Sequence, residues 1–178
     1  MKWTILLRYT FVVMLGMSVL ISLGLFVLRT SPGLPRGTKA DKIIVNKEDR
    51  ELVLLSDGKV LKRYRIALGA HPRGHKLREG DERTPEGVYR ISGHNPQSRF
   101  HLSLRISYPN AEDRARAQAL GVSPGGDIMI HGLPKGLGWV GPLHRLFDWT
   151  DGCIAVTNSE IEEIYRAVPD GIRIQINP

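Results

Sequence analysis

The chain holds a single cysteine among its 178 residues. One cysteine cannot form a disulfide within its own chain, so Cys153 is a buried packing residue, a link to another chain or a thiol used in chemistry. Paired spacings of the CxxC or HxxxH kind are also missing. A metal site joining His144 to His131 is conceivable, but zinc sites usually show those tighter spacings, and we predict no metal.

The sequence also lacks a concentration of charge of one sign. The net charge is +7, yet beyond residue 29 the chain carries 22 basic and 18 acidic residues. The densest cluster of bases, residues 71–83, mixes both signs. A nucleic-acid-binding protein usually shows a basic stripe with aromatic residues beside it, so we predict no nucleic-acid partner. Attraction to an anionic polymer or to a membrane surface stays open.

Residues 9–28 contain no charged residue, and Lys2 and Arg8 precede them. Twenty such residues are enough for a helix that crosses a bilayer. The run is longer than the apolar part of an ordinary signal peptide, so we predict an uncleaved anchor over residues 1–29, with a cleaved signal sequence as the alternative. A buried core helix is disfavoured because the run has no polar face. Basic residues flank both ends, so they leave the orientation open.

The rest of the chain predicts a short linker over residues 30–40 and one domain over residues 41–178. Apolar stretches separated by glycine and proline predict short strands, among them the alternating "GIRIQINP" at the C-terminus. Two helices are expected, one over residues 110–120 with Asn110 as N-cap and one over residues 157–168 with Asn158 or Ser159 as N-cap. Many strands with few helices predict a mainly β fold, a sandwich or barrel with appended helices.

Cys153 lies in the stretch "DWTDGCIAV", between a turn and a helix. Gly152 permits a tight turn, in which successive amide N–H groups can point at one spot and form an oxyanion hole. A thiolate is a strong nucleophile but needs a base or a positive field to form. His131 closes the strand "DIMI" and is the best candidate base, and Gly132 leaves room there for a substrate backbone. An activated Cys153 is expected to react with iodoacetamide faster than a model thiol.

The alternative interpretation is that Cys153 and His131 have only structural roles. A lone free cysteine is most often a small packing residue, and a lone histidine is most often structural. Asp151 orients a residue of the site or is an exposed turn residue. A papain-like peptidase is disfavoured, because it has its cysteine well before its histidine and the order here is reversed.

Two motifs, "HG" at 131–132 and "TDGCIAV" at 150–156, resemble the signature of YkuD-type L,D-transpeptidase catalytic domains. Residues 80–91 and 66–69 resemble segments that precede it in that family. The resemblance implies a mostly β fold, peptidoglycan stem peptides as substrate and no metal or organic cofactor. It implies that Cys153 is the nucleophile, that His131 accepts and donates the proton, and that Gly152 and Cys153 offer N–H groups to the oxyanion.

The resemblance also indicates Thr150 and Asp151 as substrate-binding positions, beside Gly132 with the room that it leaves for a substrate backbone. Many members have histidine where Asp151 stands, and the version with aspartate resembles short, membrane-anchored members grouped with murein-lipoprotein-processing enzymes. The loop over residues 133–149 is expected to line the cleft, with Trp139 stacking on substrate and Arg145 meeting a carboxylate. The alternative is that its tryptophans fill the core.

The sequence therefore predicts a membrane-tethered cysteine acyltransferase that acts on the bacterial cell wall. Its thioester with a meso-diaminopimelate carbonyl of a tetrapeptide stem would pass to an amine of another stem, forming a 3→3 cross-link, or to another wall-linked amine such as that of a lipoprotein. With water as acceptor, the same residues give an L,D-carboxypeptidase or endopeptidase. A non-catalytic wall-binding module is the third alternative. The domain is expected outside the cytoplasmic membrane, which residues 9–28 cross once.

Overall fold

The computed structural model describes residues 33–178 and, ahead of them, Met14 alone. Gly33–Pro178 forms one compact unit. The predicted anchor over residues 1–29 lies, apart from Met14, outside the described residues. Within the described part of the chain, no helix combines the length and the apolar character that crossing a membrane requires.

Within residues 33–178, eight strands build a single sheet, and two α-helices and a 3-10 segment accompany it. The strands are β1 Lys42–Asn46, β2 Glu51–Ser56, β3 Lys59–Arg65, β4 Gly87–Asn95, β5 Ser103–Ile106, β6 Met129–His131, β7 Ile154–Ala155 and β8 Arg173–Asn177. The helices are α1 Ala111–Ala119 and α2 Asn158–Ala167, and the 3-10 segment covers Gly138–Leu146.

The sheet curls until its two ends meet. Its strand order is β3-β2-β1-β8-β4-β5-β6-β7, so β3 and β7 are the outermost strands. The chain just after β3 reaches β7 through a pair of backbone hydrogen bonds between Ala67 and Ala155, at 2.9 and 2.8 Å. A further bridge joins Gly69 to Thr150. The predicted mainly β, barrel-like fold with few short helices is confirmed.

The C-terminal strand shows why the alternating pattern was informative. Ile174 and Ile176 of β8 are buried, whereas Arg173 and Gln175 between and beside them are not. β8 pairs with β1 in parallel and with β4 in antiparallel orientation, so it lies in the middle of the sheet. Apolar residues with period two therefore place one face of the strand in the core, as such a pattern predicts.

Helix α2, which follows strand β7 in the chain, packs onto that core. Thr157 is its N-cap and forms a capping box with Glu160, so the cap lies one residue before Asn158, the nearer of the two predicted caps Asn158 and Ser159. Ile161 and Ile164 are fully buried on its inner face. The predicted cap of α1, Asn110, is confirmed, again with a capping box.

Residues 33–40, predicted to be part of a linker, pack onto α2. The Ala40 N–H donates to the Ala167 carbonyl at 2.8 Å, Lys39 Nζ donates to the Arg166 carbonyl at 2.8 Å, and Leu34 packs against the core. The proline and glycine content of this stretch breaks regular structure, but it does not prevent apolar and backbone contacts.

Candidate active site

The turn before Cys153 is held by a threonine and permitted by a glycine. The Thr150 hydroxyl donates to the Cys153 carbonyl at 2.7 Å and accepts from the Gly152 N–H at 3.2 Å. Gly152 has a φ of 126°, and a Cβ on it would lie 2.5 Å from the Arg83 carbonyl oxygen. Glycine is therefore required on both conformational and steric grounds. Because its N–H is engaged by Thr150, Gly152 is not a free donor for an oxyanion in this structure.

His131 ends β6 and is fixed by its neighbours on both sides. It lies opposite Ser103 of β5 and beside Ala155 of β7, and its side chain is 1% exposed. Phe100 stacks on the imidazole with ring centroids 4.3 Å apart. The ring is therefore held between a sheet and an aromatic face, and its orientation is set by the fold.

The tautomer of His131 follows from its partner. Nδ1 lies 2.6 Å from the carbonyl oxygen of Gly132. A carbonyl oxygen can only accept, so Nδ1 carries the hydrogen and Nε2 of the neutral ring carries the lone pair. Burial, with a smaller contribution from the positive charge of Arg99, lowers the pKa of His131 to about 4. The imidazole is thus a neutral base at physiological pH.

His131 and Cys153 line the same open cleft, which has a volume of about 440 Å³. The cleft is also lined by Arg99, Phe100, Asp127, Trp149, Thr150 and Asp151. The negative charges of Asp127 and Asp151 act on Cys153, and the positive charge of Arg99 acts on His131. Asp127 also forms an ion pair with Arg105.

The Cys153 thiol is protonated at rest. It donates to the Asp127 carbonyl at a sulfur–oxygen distance of 3.5 Å. Burial raises the pKa of the Cys153 thiol to about 11; the Met129 N–H opposes this shift, and the negative charges of Asp151 and Asp127 add to it. The raised pKa of the thiol argues against the expected fast reaction with iodoacetamide in the free protein, and that expectation stays a prediction to be tested.

Three of the predicted substrate-binding residues are placed elsewhere. A Cβ on Gly132 would lie 2.8 Å from Asn158 Oδ1 and 2.9 Å from Ile161 Cγ2, so this glycine admits the packing of α2 rather than a substrate backbone. Trp139 is 81% exposed and does not line the cleft. Arg145 is engaged in an ion pair with Glu160. Thr150 and Asp151 do line the cleft, as predicted.

Trp149 is the tryptophan that reaches the site. Its ring meets the His131 imidazole edge-on, with centroids 5.7 Å apart. Its Nε1–H donates to Nδ1 of His144 at 3.4 Å, and burial lowers the pKa of His144 to about 4, which keeps that ring neutral and able to accept. The alternative that both tryptophans fill the core is wrong for Trp139.

The described residues do not contain a group of three or more His, Cys, Asp or Glu residues placed to hold a metal ion.

Sequence reasoning missed the residues that surround His131. Arg99 and Phe100 lie in a turn before β5, a strand of four residues that was not predicted. The Arg99 guanidinium lies 5.0 Å from the Phe100 ring centroid. An aromatic residue next to an arginine in an otherwise polar turn is the only sequence signal that marked this pair.

The fold and the site together define a class of protein. In this class, a curled β-sheet places one cysteine and one neutral histidine in the same cleft. Residues 40–176 match the family model of the YkuD L,D-transpeptidase catalytic domain. The chain belongs to this family.

Similar proteins agree with this assignment. The chain is 32% identical over 132 residues to a protein of Escherichia coli (strain K12) that carries the provisional name L,D-transpeptidase YafK, an alignment covering 71% of this chain and 46% of that protein. It is 26% identical to a protein of Bacillus subtilis (strain 168) provisionally named L,D-transpeptidase YqjB, covering 75% of this chain and 69% of the relative. The chain thus spans about half the length of the YafK relative.

A solved structure shows the same fold. The helical cell shape determining protein Pgp2 from Campylobacter jejuni superposes with a TM-score of 0.58 at 26% identity, covering 84% of this chain and 52% of Pgp2. Bd1075 of Bdellovibrio bacteriovorus, at 23% identity and a TM-score of 0.52 over 81% of this chain and 51% of Bd1075, supports the fold.

Proposed function

We propose that the chain is a cysteine L,D-transpeptidase that acts on peptidoglycan stem peptides through a thioester on Cys153. The observation that carries the proposal is the Nε2 lone pair of the neutral His131, which lines the same cleft as the only thiol of the chain. Membership of the L,D-transpeptidase family supports the substrate class.

The first half of the reaction forms the thioester. His131 Nε2 takes the thiol proton as the sulfur attacks the carbonyl carbon of meso-diaminopimelate in a tetrapeptide stem. The resting thiol donates to the Asp127 carbonyl, so this hydrogen bond must first break and be replaced by one from the thiol to His131 Nε2. The protonated His131 then gives its proton to the departing amine of D-alanine as the carbon–nitrogen bond breaks.

The second half transfers the acyl group. An amine of another stem attacks the thioester carbonyl, His131 accepts the amine proton, and the sulfur leaves and regains a proton from His131. The N–H of Cys153 stabilises the oxyanion in both halves, since the N–H of Gly152 is donated to Thr150. Water in place of the amine gives hydrolysis with the same residues.

The charges of the cleft support binding of a substrate that carries both signs. The guanidinium of Arg99 has no carboxylate partner among the described residues and offers a fork for a stem carboxylate. Asp151, and Asp127 in its ion pair with Arg105, place negative charge near the sulfur, which attracts an ammonium group there. The acceptor amine must approach the thioester on Cys153, so negative charge near this residue favours transfer to an amine over hydrolysis.

Peptidoglycan lies outside the cytoplasmic membrane, so the proposal places the domain on that side, tethered by residues 9–28. A reporter fused after Pro178 should be active only if it functions outside the cytoplasm. A cytoplasmic result would contradict the wall substrate.

The reaction is tested with the full-length protein, purified tetrapeptide muropeptides and mass spectrometry of the products. Transfer gives dimers with a 3→3 link, and hydrolysis gives tripeptides with free D-alanine. Arg99→Gln should raise KM for the tetrapeptide, and Arg173→Gln, at an exposed arginine of β8 outside the cleft, is the matched control. An unmodified muropeptide pool with the parent protein would refute the proposal.

A further inference from the structure

A second open pocket, with a volume of about 770 Å³, shares no lining residue with the cleft of the candidate active site. Three arginines line it, Arg73, Arg78 and Arg83, of which the first two are exposed and the third is half-buried. Within residues 33–178, none of the three forms an ion pair with a carboxylate. This pocket, here called the arginine pocket, therefore offers guanidinium groups that no acid of the described chain neutralises.

The acidic residues of the loop that builds the pocket are already engaged. Of the described lining residues only Asp81 is acidic. Its carboxylate accepts from Nζ of the buried Lys76 at 2.8 Å and from three backbone N–H groups of the same loop. The next residue, Glu82, is paired with His71 at 3.0 Å. Neither carboxylate is thus available to the three arginines.

The loop is also fixed against the chain that follows α1. The Glu79 N–H donates to the Ser123 carbonyl at 2.8 Å, and the Ser123 hydroxyl donates to the Glu79 carboxylate at 3.0 Å. Leu120 and Val122, just before this contact, add an apolar wall to the pocket. A concave, preformed pocket with apolar walls and a few charged groups is typical of a binding site.

The arginine pocket begins at the turn that leads to the thiol. The Ala70 N–H, at one wall of the pocket, donates to the Thr150 carbonyl at 2.9 Å. The Arg83 carbonyl lies so near Gly152 that a Cβ on this glycine would approach it to 2.5 Å. Thr150 itself lines the cleft. Residues 150–152 therefore contact the pocket with their backbone and contribute to the cleft that holds the candidate catalytic residues.

The order of steps in the proposed reaction indicates which half of the substrate extends towards this pocket. His131 protonates the departing amine of D-alanine and later takes the proton of the acceptor amine, so both amines occupy the histidine side of the cleft. The acyl part of the donor stem stays on Cys153 as the thioester and extends away from His131. It keeps free carboxylates on meso-diaminopimelate and on the γ-linked glutamate before it, within about 7–10 Å of extended chain from the reacting carbonyl.

We propose that the arginine pocket binds the carboxylates of this acyl part, an inference that rests on the function proposed above. Guanidinium groups bind carboxylates through paired N–H donors, and Arg73 and Arg78 have these donors free. The pocket then holds the donor stem from the first attack of the sulfur until the acceptor arrives. Arg99, whose charge acts on His131, is left for the departing half.

The test measures binding without turnover, by isothermal titration calorimetry with the full-length Cys153→Ala protein. The ligand is a disaccharide tripeptide, compared with the same molecule amidated at its glutamate and at the second carboxylate of meso-diaminopimelate. Arg73→Gln combined with Arg78→Gln should weaken binding of the acidic tripeptide about tenfold, the loss of a charge-assisted hydrogen bond. Amidation should cost the parent about as much and the double variant almost nothing, because the two changes remove the same contact. Arg173→Gln, at an exposed arginine outside both cavities, is the matched control.

Four results would overturn the inference. They are equal affinity of the parent and the double variant, an equal loss for the acidic and the amidated tripeptide, no binding of the acidic tripeptide by the parent, and tighter binding of poly(glycerol phosphate) than of the tripeptide. The last would assign the pocket to a phosphate polymer of the wall. Turnover of tetrapeptide muropeptides by the protein with Cys153 intact is measured separately. Turnover together with any of these results removes the arginine pocket alone, whereas absent turnover removes the reaction assigned to the cleft.

Discussion

His131 donates through Nδ1 to the carbonyl of Gly132, the residue that follows it in the chain. This one bond directs the lone pair of Nε2 away from the backbone and makes the imidazole a base without the help of a carboxylate. The close packing of Gly132 under Asn158 and Ile161 holds that carbonyl in place. Gly132 is thus a positioning residue, although the sequence suggested that it contacts substrate.

Replacing His131 should abolish catalysis while leaving the fold intact. His131→Gln keeps a side-chain amide near Gly132 but removes the base, and we expect kcat to fall by about 10² to 10⁴. Circular dichroism and thermal unfolding should show a folded protein. For the parent, kcat/KM should stay level from neutral pH down towards pH 4 and fall below it, because the pKa of His131 is lowered to about 4. An acid limb near pH 6.5 would show that the imidazole is solvated and that the site is assembled differently.

The resting thiol should be slow to alkylate. With the pKa of Cys153 raised to about 11 by burial, little thiolate exists at pH 7. We expect iodoacetamide to modify Cys153 about 10²-fold more slowly than a model cysteine peptide, and the rate to rise steadily with pH. Leu120→Cys in a Cys153→Ala background provides an exposed thiol in the same chain for comparison. Faster labelling of Cys153 than of either reference would mean that the free enzyme already holds a thiolate.

The two tryptophans of the loop should behave differently. Trp149→Phe removes the Nε1–H bond to His144 and part of the edge contact with His131, and we expect kcat/KM to fall about fivefold to tenfold, the equivalent of about 1 kcal/mol for an aromatic contact. Trp139→Phe, at an exposed site outside the cleft, should match the parent on soluble muropeptides. The measurement is steady-state kinetics with both variants. Equal losses would return Trp139 to the substrate-binding role that the sequence suggested.

Most of the strands, both described α-helices and the two residues proposed to carry the reaction were predictable, because each depends on a local signal. The alternating isoleucines predicted β8, and the Asn110 cap predicted the start of α1. The two short motifs drew attention to His131 and Cys153. Strand β7 has two residues and β5 has four, so neither offers enough residues to display a period.

Three residues that were expected to bind substrate do not line the cleft, and the reason is physical. Gly132, Trp139 and Arg145 have the chemistry of substrate-binding residues, and only tertiary contacts show that α2 packs over the first, solvent surrounds the second and Glu160 neutralises the third. The protonation state of the Cys153 thiol could not be predicted from the sequence either. Its pKa depends on burial and on Asp127, which lies 26 residues before it in the chain.

Acid should destabilise the protein through its buried histidines. His144 is 5% exposed and its pKa is lowered to about 4, so the folded state binds fewer protons than the unfolded state between about pH 6.5 and pH 4. Stability from this group is complete above pH 6.5 and is lost as the pH falls to 4, by about 3 kcal/mol for a shift of about 2.5 pH units. Urea unfolding of the parent and of His144→Gln should show a shallower decline in the variant. Parallel pH profiles would contradict a buried neutral His144.

The most direct test of the account is to trap the acyl-enzyme. The full-length protein is mixed with a tetrapeptide muropeptide, quenched in acid after short times and analysed by intact-protein mass spectrometry with peptide mapping. The account predicts a transient adduct on Cys153 with the mass of the muropeptide less D-alanine, lost on adding hydroxylamine and absent in Cys153→Ala. Turnover by Cys153→Ala, or an adduct on any other residue, would contradict it.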